Sequence, residues 1–297
     1  MEISNQPARI AVNCDQFIKR LILTCVAIQA AMVVGDYIFN YSYIVDQPSI
    51  DPLFNITRED GLASFFAVLQ SALISVTLWA IVIVVRRKNF ARATVIGWTI
   101  VASFFSYMTL DDGSKLHERI GSLVYDLTHA GGDAASSAIS SFPSYIWQIV
   151  FLPIFATLGL FILVFMLREL KTRKQKAFVI IALGLFASAV VLDFFEGLYD
   201  GHPLNIFTMI TNTFDMAAFT AFHFGETPFD TLVHFSKSIE EAIEMFAMTL
   251  FWVVFLRYLF KLGTIEISFE SEGAMSEMTN PQSNGHAGSI APKKVEA

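Results

Sequence analysis

Six carboxylates and one imidazole stand near the ends of three apolar runs: Asp111, His117 and Glu118 in "TLDDGSKLHERIG", Asp193 and Glu196 in "LDFFEGLYD", and Glu241 and Glu244 in "IEEAIEM". Carboxylates gathered in one place repel unless something positive sits among them. Acids and a histidine drawn from several helices of a bundle are how carboxylate metal centres are built. Zinc favours histidine with one or two carboxylates, and calcium or magnesium favours carboxylates alone. The mixture here leans toward zinc, iron or manganese, with all seven residues as candidate ligands. A bound cation would acidify a water while a glutamate takes its proton, and Glu118 and Glu244 are the candidate bases. The chain holds Asp193-x-x-Glu196 and Glu241-x-x-Glu244 but no Glu-x-x-His, so it departs from the di-iron spacing. "HERIG" is not HExxH, and there is no P-loop, dinucleotide GxGxxG or GxSxG elbow.

Helical spacing sorts these residues into faces. At about 100° per residue, a helix continuing past Leu110 puts Asp111, Ser114, His117 and Glu118 on one face and Asp112, Lys115 and Arg119 on another. The second set balances its own charge and reads as a structural ion-pair network. Asp193, Glu196 and Asp200 recur at i, i+3 and i+7. His234, Lys237, Glu241 and Glu244 share a side if the last helix begins early, with Glu240 at its edge, and His202 and His234 are further ligand candidates. Against this, "SIEE" at positions 238–241 has the form of a capping box, which would give Glu240 and Glu241 a purely structural task at a helix start.

These side chains need elements to carry them, and composition says what kind. Of 297 residues 54% are hydrophobic and 16% charged, with a mean hydropathy of +0.54; soluble domains carry about 25% charged residues. The chain reads as an all-α polytopic membrane protein. Six stretches are long enough to cross: 17–40, 61–85, 93–110, 145–167, 177–196 and 239–260. The first lacks a small-residue cleavage site and reads as a retained anchor. Arg86, Arg87, Lys88 and Arg92, and then Arg168, Lys171, Arg173, Lys174 and Lys176, mark two links as cytoplasmic. Both termini then lie inside, and every acidic cluster falls at the outer surface, with Asp36 at the same depth.

The domain plan is a cytoplasmic arm (1–16), a six-helix transmembrane domain (17–261) and a disordered cytoplasmic tail (262–297) rich in Ser, Gly, Asn and Pro. The 201–237 loop is long and aromatic, and reads either as short helices on the outer leaflet or as a lid over the acids. Cys14 and Cys25 form no CxxC, so neither a disulfide framework nor a thiolate metal site is supported. A net charge of −7 provides no basic face for nucleic acid.

"TLDDGSKLHERIG", "LDFFEGLYD" and "IEEAIEMFAMTLFWVV" together resemble a group of uncharacterised polytopic bacterial membrane proteins. That group has a Leu-Asp-Asp/Glu run followed by His-Glu at one helix end and Glu-Glu-x-x-Glu-Met at the start of the last helix. The resemblance covers roughly 93–260. It implies a shared pattern at Asp111, Asp112, His117, Glu118, Glu240, Glu241 and Glu244, in a bacterial inner membrane, and implies no reaction. The expected function is a metal-dependent membrane enzyme, hydrolase or oxidoreductase, acting at the outer leaflet on a lipid-like or quinone-like substrate, with membrane lipids as its surroundings. The rival classes are a cation or proton carrier with an acidic outer vestibule, and a structural subunit of a membrane complex. A carrier calls for polar residues through the full depth of the membrane, and the inner halves offer little beyond Gln29, Gln70, Gln148 and scattered Ser and Thr.

Overall fold

The computed structural model describes residues 13–41, 45, 47–131, 142–224 and 227–263, and these form helices and turns with no strand among them. Both the expected N-terminal arm up to residue 12 and the expected tail from residue 264 lie outside the described residues. In chain order the helices are α1 (Cys14–Asp36, continued by a π-helical turn, Tyr37–Tyr41), α2 (Asp51–Phe54), α3 (Leu62–Arg87), α4 (Arg92–Ser114), α5 (Leu116–Gly131), α6 (Ile146–Glu169), α7 (Arg173–Glu196), α8 (Ile206–Thr213), α9 (Ala217–Phe224) and α10 (Pro228–Lys261). Six of them, α1, α3, α4, α6, α7 and α10, are long and apolar enough to span a bilayer, and the protein is an integral multi-pass membrane protein.

The hub is α10, the most buried of the six, which packs against α7, α3 and α1. Its lower half joins Trp98 and Phe105 of α4 and Ile74, Leu78 and Ile81 of α3 through Phe251 and Phe255. Between α1, α3 and α10 a small polar knot fixes register. Gln29 donates to Met245 O and to Thr249 Oγ1, each at 3.0 Å. With its amide turned to satisfy both ends, Gln70 donates to Met245 O at 3.2 Å and accepts from Thr249 Oγ1 at 2.7 Å. These glutamines tie helices together, because a polar group in hydrocarbon must find a partner inside the protein.

Two elements differ from the sequence-based expectation. The last helix begins at Pro228, eleven residues before 239, because Thr227 accepts from Asp230 N–H and Pro228 supplies a preset φ at the first turn. Its 34 residues span roughly 50 Å, more than the hydrocarbon thickness of about 30 Å. Ser238–Glu241 therefore lies in the helix interior, and the capping-box reading fails. The second difference is the end of α4. Lys115 takes φ +48° and ψ +47°, its N–H bonds Asp111 O at 2.7 Å, and the chain restarts as α5 at Leu116. A non-glycine residue in the left-handed region breaks the helix. The single face expected across 111–118 does not exist.

The 201–237 stretch resolves into α8, α9 and the early turns of α10. Asn205 caps α8 by accepting from Phe207 N–H and Thr208 N–H, and Phe207 is buried against Phe229 at 6.4 Å between ring centres.

Helices α5 and α6 meet closely at Gly121, where an added Cβ would lie 2.7 Å from Trp147 N and 2.9 Å from Trp147 Cα. Backbone cannot yield cheaply there, so Gly121→Ala is expected to push α5 off α6 and cost about 1–3 kcal/mol. Gly113→Ala, which would meet only Val68 Cγ2 at 3.7 Å, should be neutral or stabilising. Melting temperatures of the two variants in detergent check this, and equal melting would overturn the close approach.

Candidate metal centre at the acidic end of the bundle

The C-terminal ends of α4 and α7, the elbow into α5, the start of α6 and the middle turns of α10 converge at one end of the bundle around a cavity of about 1510 Å³. Asp111, Asp112, His117, Glu118, Asp193, Glu196, Glu240, Glu241 and Glu244 all border it.

The elbow decides what Asp111 does. Turning at Lys115 brings His117 back over Asp111, which accepts His117 N–H through Oδ1 at 2.9 Å and meets His117 Nδ1 through Oδ2 at 2.6 Å. Tyr107 OH donates to the same Oδ1 at 3.3 Å. Both oxygens of Asp111 are engaged, and its geometry is that of a carboxylate orienting a histidine. The His117 ring stands edge-on to Trp147, 4.7 Å between centres. Trp147 Nε1 in turn donates to Asp193 Oδ2 at 3.1 Å, beside Gln148 Nε2 at 2.8 Å. Gln148 therefore belongs to the acidic end, where it and Trp147 orient Asp193 through Oδ2.

Asp193 and Glu196 lie a turn apart on α7, and Glu240 reaches them from α10. One ligand oxygen from each lies within 4.8 Å of the other two. Oxygens that share a cation at 2.0–2.6 Å lie at most about 5 Å apart, so the three fit one ion. Glu196 is the telling member. It is 7% exposed, and both its carboxylate oxygens lack a hydrogen-bond partner among the described residues. Ser236 and Glu240 interact with it, yet the Ser236 hydroxyl closes no bond and is unpartnered as well. Lys237 is the positive charge acting on Glu196, one lysine against three carboxylates. Just above, at the start of α6, burial pushes the Tyr145 phenol up to about 12, reinforced by the negative charges of Asp193, Glu196, Glu118 and Glu240.

The remaining acids form a second group. Lys115 Nζ bridges Glu59 at 3.2 Å and Glu118 at 3.3 Å. Burial works against its charge, but those two carboxylates outweigh it and hold its pKa above the ordinary lysine value. Glu118 is thus a half-exposed ion-pair partner. Asp112 turns to Ser71 on α3, and Arg119 Nε donates to Ser114 O at 2.7 Å, so the expected network of Asp112, Lys115 and Arg119 is replaced by these contacts. Glu241 interacts most strongly with Lys115 and Asp112, and Glu244 with Glu241 and Asp112.

Four residues expected in or near the acidic layer stand elsewhere. Asp36 is buried on the α1 side of α10, where it accepts from Ser238 Oγ at 2.7 Å and Asn40 Nδ2 at 3.1 Å. His234 lies 3.7 Å from Asp36, so it faces away from Glu241 and Glu244. Asp200 accepts from Thr208 Oγ1, and His202 Nδ1 accepts from Leu204 N–H, which gives both local duties around α8. Sequence reasoning placed Glu240 only at the edge of the α10 face and left it out of the candidate ligands, and it gave Trp147 and Gln148 no part in the site. An acid on α10 one turn from Glu244 was the signal for Glu240; for the supports there was none.

No curated protein and no solved structure matches the chain. A family model described as a domain of unknown function (DUF8692) matches residues 20–259, which takes in nearly all of the six crossing helices. The chain belongs to that family.

Proposed function

We propose that this protein is a divalent-metal-dependent enzyme of a bacterial inner membrane, with both termini cytoplasmic and its acidic end at the outer leaflet, acting as a hydrolase on a lipid-like substrate. The observation that carries the reading is the trio Asp193, Glu196 and Glu240, in which the buried Glu196 carboxylate accepts no hydrogen bond among the described residues, at the head of a large cavity. A cation held there would supply Lewis acidity and an acidified water. An all-oxygen set favours a hard cation, manganese or magnesium, over zinc. Trp147 and Gln148 would hold Asp193 in place, as supporting residues do around a metal. Glu244, one turn deeper than Glu240, is placed to accept a proton. His117, with Nδ1 committed to Asp111, can offer Nε2 to the cavity for the same task. Glu118, paired with Lys115, is the weaker base.

The lower cavity is lined by Phe105, Ile162, Leu183 and Phe251, a wall that suits a hydrocarbon tail better than a hydrated cation. That favours an enzyme over a carrier. The test is elemental analysis of detergent-purified protein prepared without chelators. About one divalent cation per chain is expected; a metal-free protein that also fails to take up manganese or magnesium would overturn the reading.

A further inference from the structure

The large cavity is deep as well as acidic. Along α7 it is lined from Glu196 down to Leu183, thirteen residues or roughly 20 Å. Its volume of about 1510 Å³ exceeds the roughly 300–1,000 Å³ that small-molecule sites occupy. Beside it lies a second, apolar pocket of about 410 Å³ in the crevice between α4 and α6, bounded by Ile100, Ser103 and Tyr107 on one side and Phe151, Ile154 and Leu158 on the other. Phe104 and Phe155 line both spaces. Their rings stand 6.3 Å apart, and Tyr107 closes on Phe155 at 6.0 Å while its hydroxyl holds Asp111.

The crevice has a hinge-like origin in the sequence. Gly97 lets α4 approach α6 so closely that an added Cβ would stand 2.1 Å from Phe165 Cε2. Trp98 packs edge-on against the same ring at 5.5 Å. Away from that contact the two helices have little between them but aromatic side chains, and the exposed flank of the crevice, with Ile100 36% and Ile154 51% exposed, lies within two membrane-spanning helices. The medium there is hydrocarbon.

We propose that the crevice between α4 and α6 is a lateral door through which a long-tailed amphiphile of the bilayer reaches the acidic site, with Phe104 and Phe155 as its leaf. The tail lies in the apolar cavity and the polar head beneath Glu196. The placement of the head rests on the metal-site reading above; the tail channel and the door do not. Gly159 marks the channel, because it lines the cavity and an added Cβ there meets nothing within 4 Å.

The test uses the full chain in vesicles of phosphatidylethanolamine and phosphatidylglycerol doped with a phospholipid carrying a diazirine at the end of one acyl chain. After illumination, adducts are mapped by mass spectrometry. Adducts are expected inside, on Met248 and Leu183, as well as on the outward-facing Val164 and Ile180, which are 51% and 53% exposed. Gly159→Phe should cut the inside adducts about tenfold, the low end of what one added group does in a hydrophobic pocket, and leave the outside ones unchanged. Ser103→Trp, which plugs the crevice without entering the cavity, should delay the inside adducts after mixing with probe-loaded vesicles.

Adducts confined to Val164 and Ile180 in the wild type would overturn the channel, and an unchanged time course in Ser103→Trp would overturn the door. Competition by unlabelled phospholipid or by a long-chain quinone identifies which tail is preferred, and either one upholds the proposal. Metal content measured on the same samples separates the two readings. Inside adducts on a metal-free protein would sink the metal site alone, and metal without inside adducts would sink the channel alone.

Discussion

Replacing Glu196 by glutamine lowers cation affinity by about 100-fold or more, the upper end of what a metal site loses with a supporting partner, and in the presence of chelator raises the melting temperature. The opposite signs follow from one arrangement. Asp193, Glu196 and Glu240 bring ligand oxygens within 4.8 Å of one another. At that separation or closer two full charges repel by at least about 3.5 kcal/mol at an effective dielectric of 20. With a cation present this repulsion becomes attraction to a shared centre; without one it opposes folding. Because neither oxygen of Glu196 has a hydrogen-bond partner among the described residues, the amide leaves no protein group newly unpaired. Melting of wild type and variant, each with manganese and with chelator, reads both signs. A variant that melts lower than wild type in both conditions would make Glu196 a structural residue and remove the strongest support for the site.

Asp36→Ala is expected to cause the largest stability loss of any substitution in the acidic layer, about 3 kcal/mol, because more than one buried donor is left without its acceptor. Asp36 is 1% exposed. It accepts from Ser238 Oγ, from Asn40 Nδ2 and, at 3.4 Å, from Ile56 N–H, so it clasps α1 to α10 and to the chain after α2. Ser238 keeps a second partner in Tyr41 OH at 3.1 Å, so the loss falls mainly on Asn40 and Ile56. Asp36→Asn retains one oxygen and should lose less than half as much. Chemical unfolding in mixed micelles measures both. Metal content should be unchanged in both variants, since Asp36 belongs to a cluster separate from the Asp193 trio; a loss of metal would join the two clusters and contradict that division.

Sequence by itself determined the class of this protein and the chemical types at its site. Six apolar runs long enough to cross a bilayer are a local property, since each residue's transfer from water counts regardless of its neighbours in space. The acids at the ends of three runs were legible for the same reason: charge at a membrane boundary is conspicuous wherever the helices pack. Rotation and start point were not legible. The membrane-crossing middles of α6 and α7 are apolar around their circumference, so they carry no periodicity to say which face meets the bundle, and the service of Trp147 and Gln148 to Asp193 left no local trace. The left-handed turn at Lys115 folded the chain back and engaged Asp111 with His117, while the packing of α10 against α1 and α7 sent His234 to Asp36 and brought Glu240 to Glu196. Spacing assigns a side chain to a face of its own helix; only the packing of helix on helix decides what that face meets.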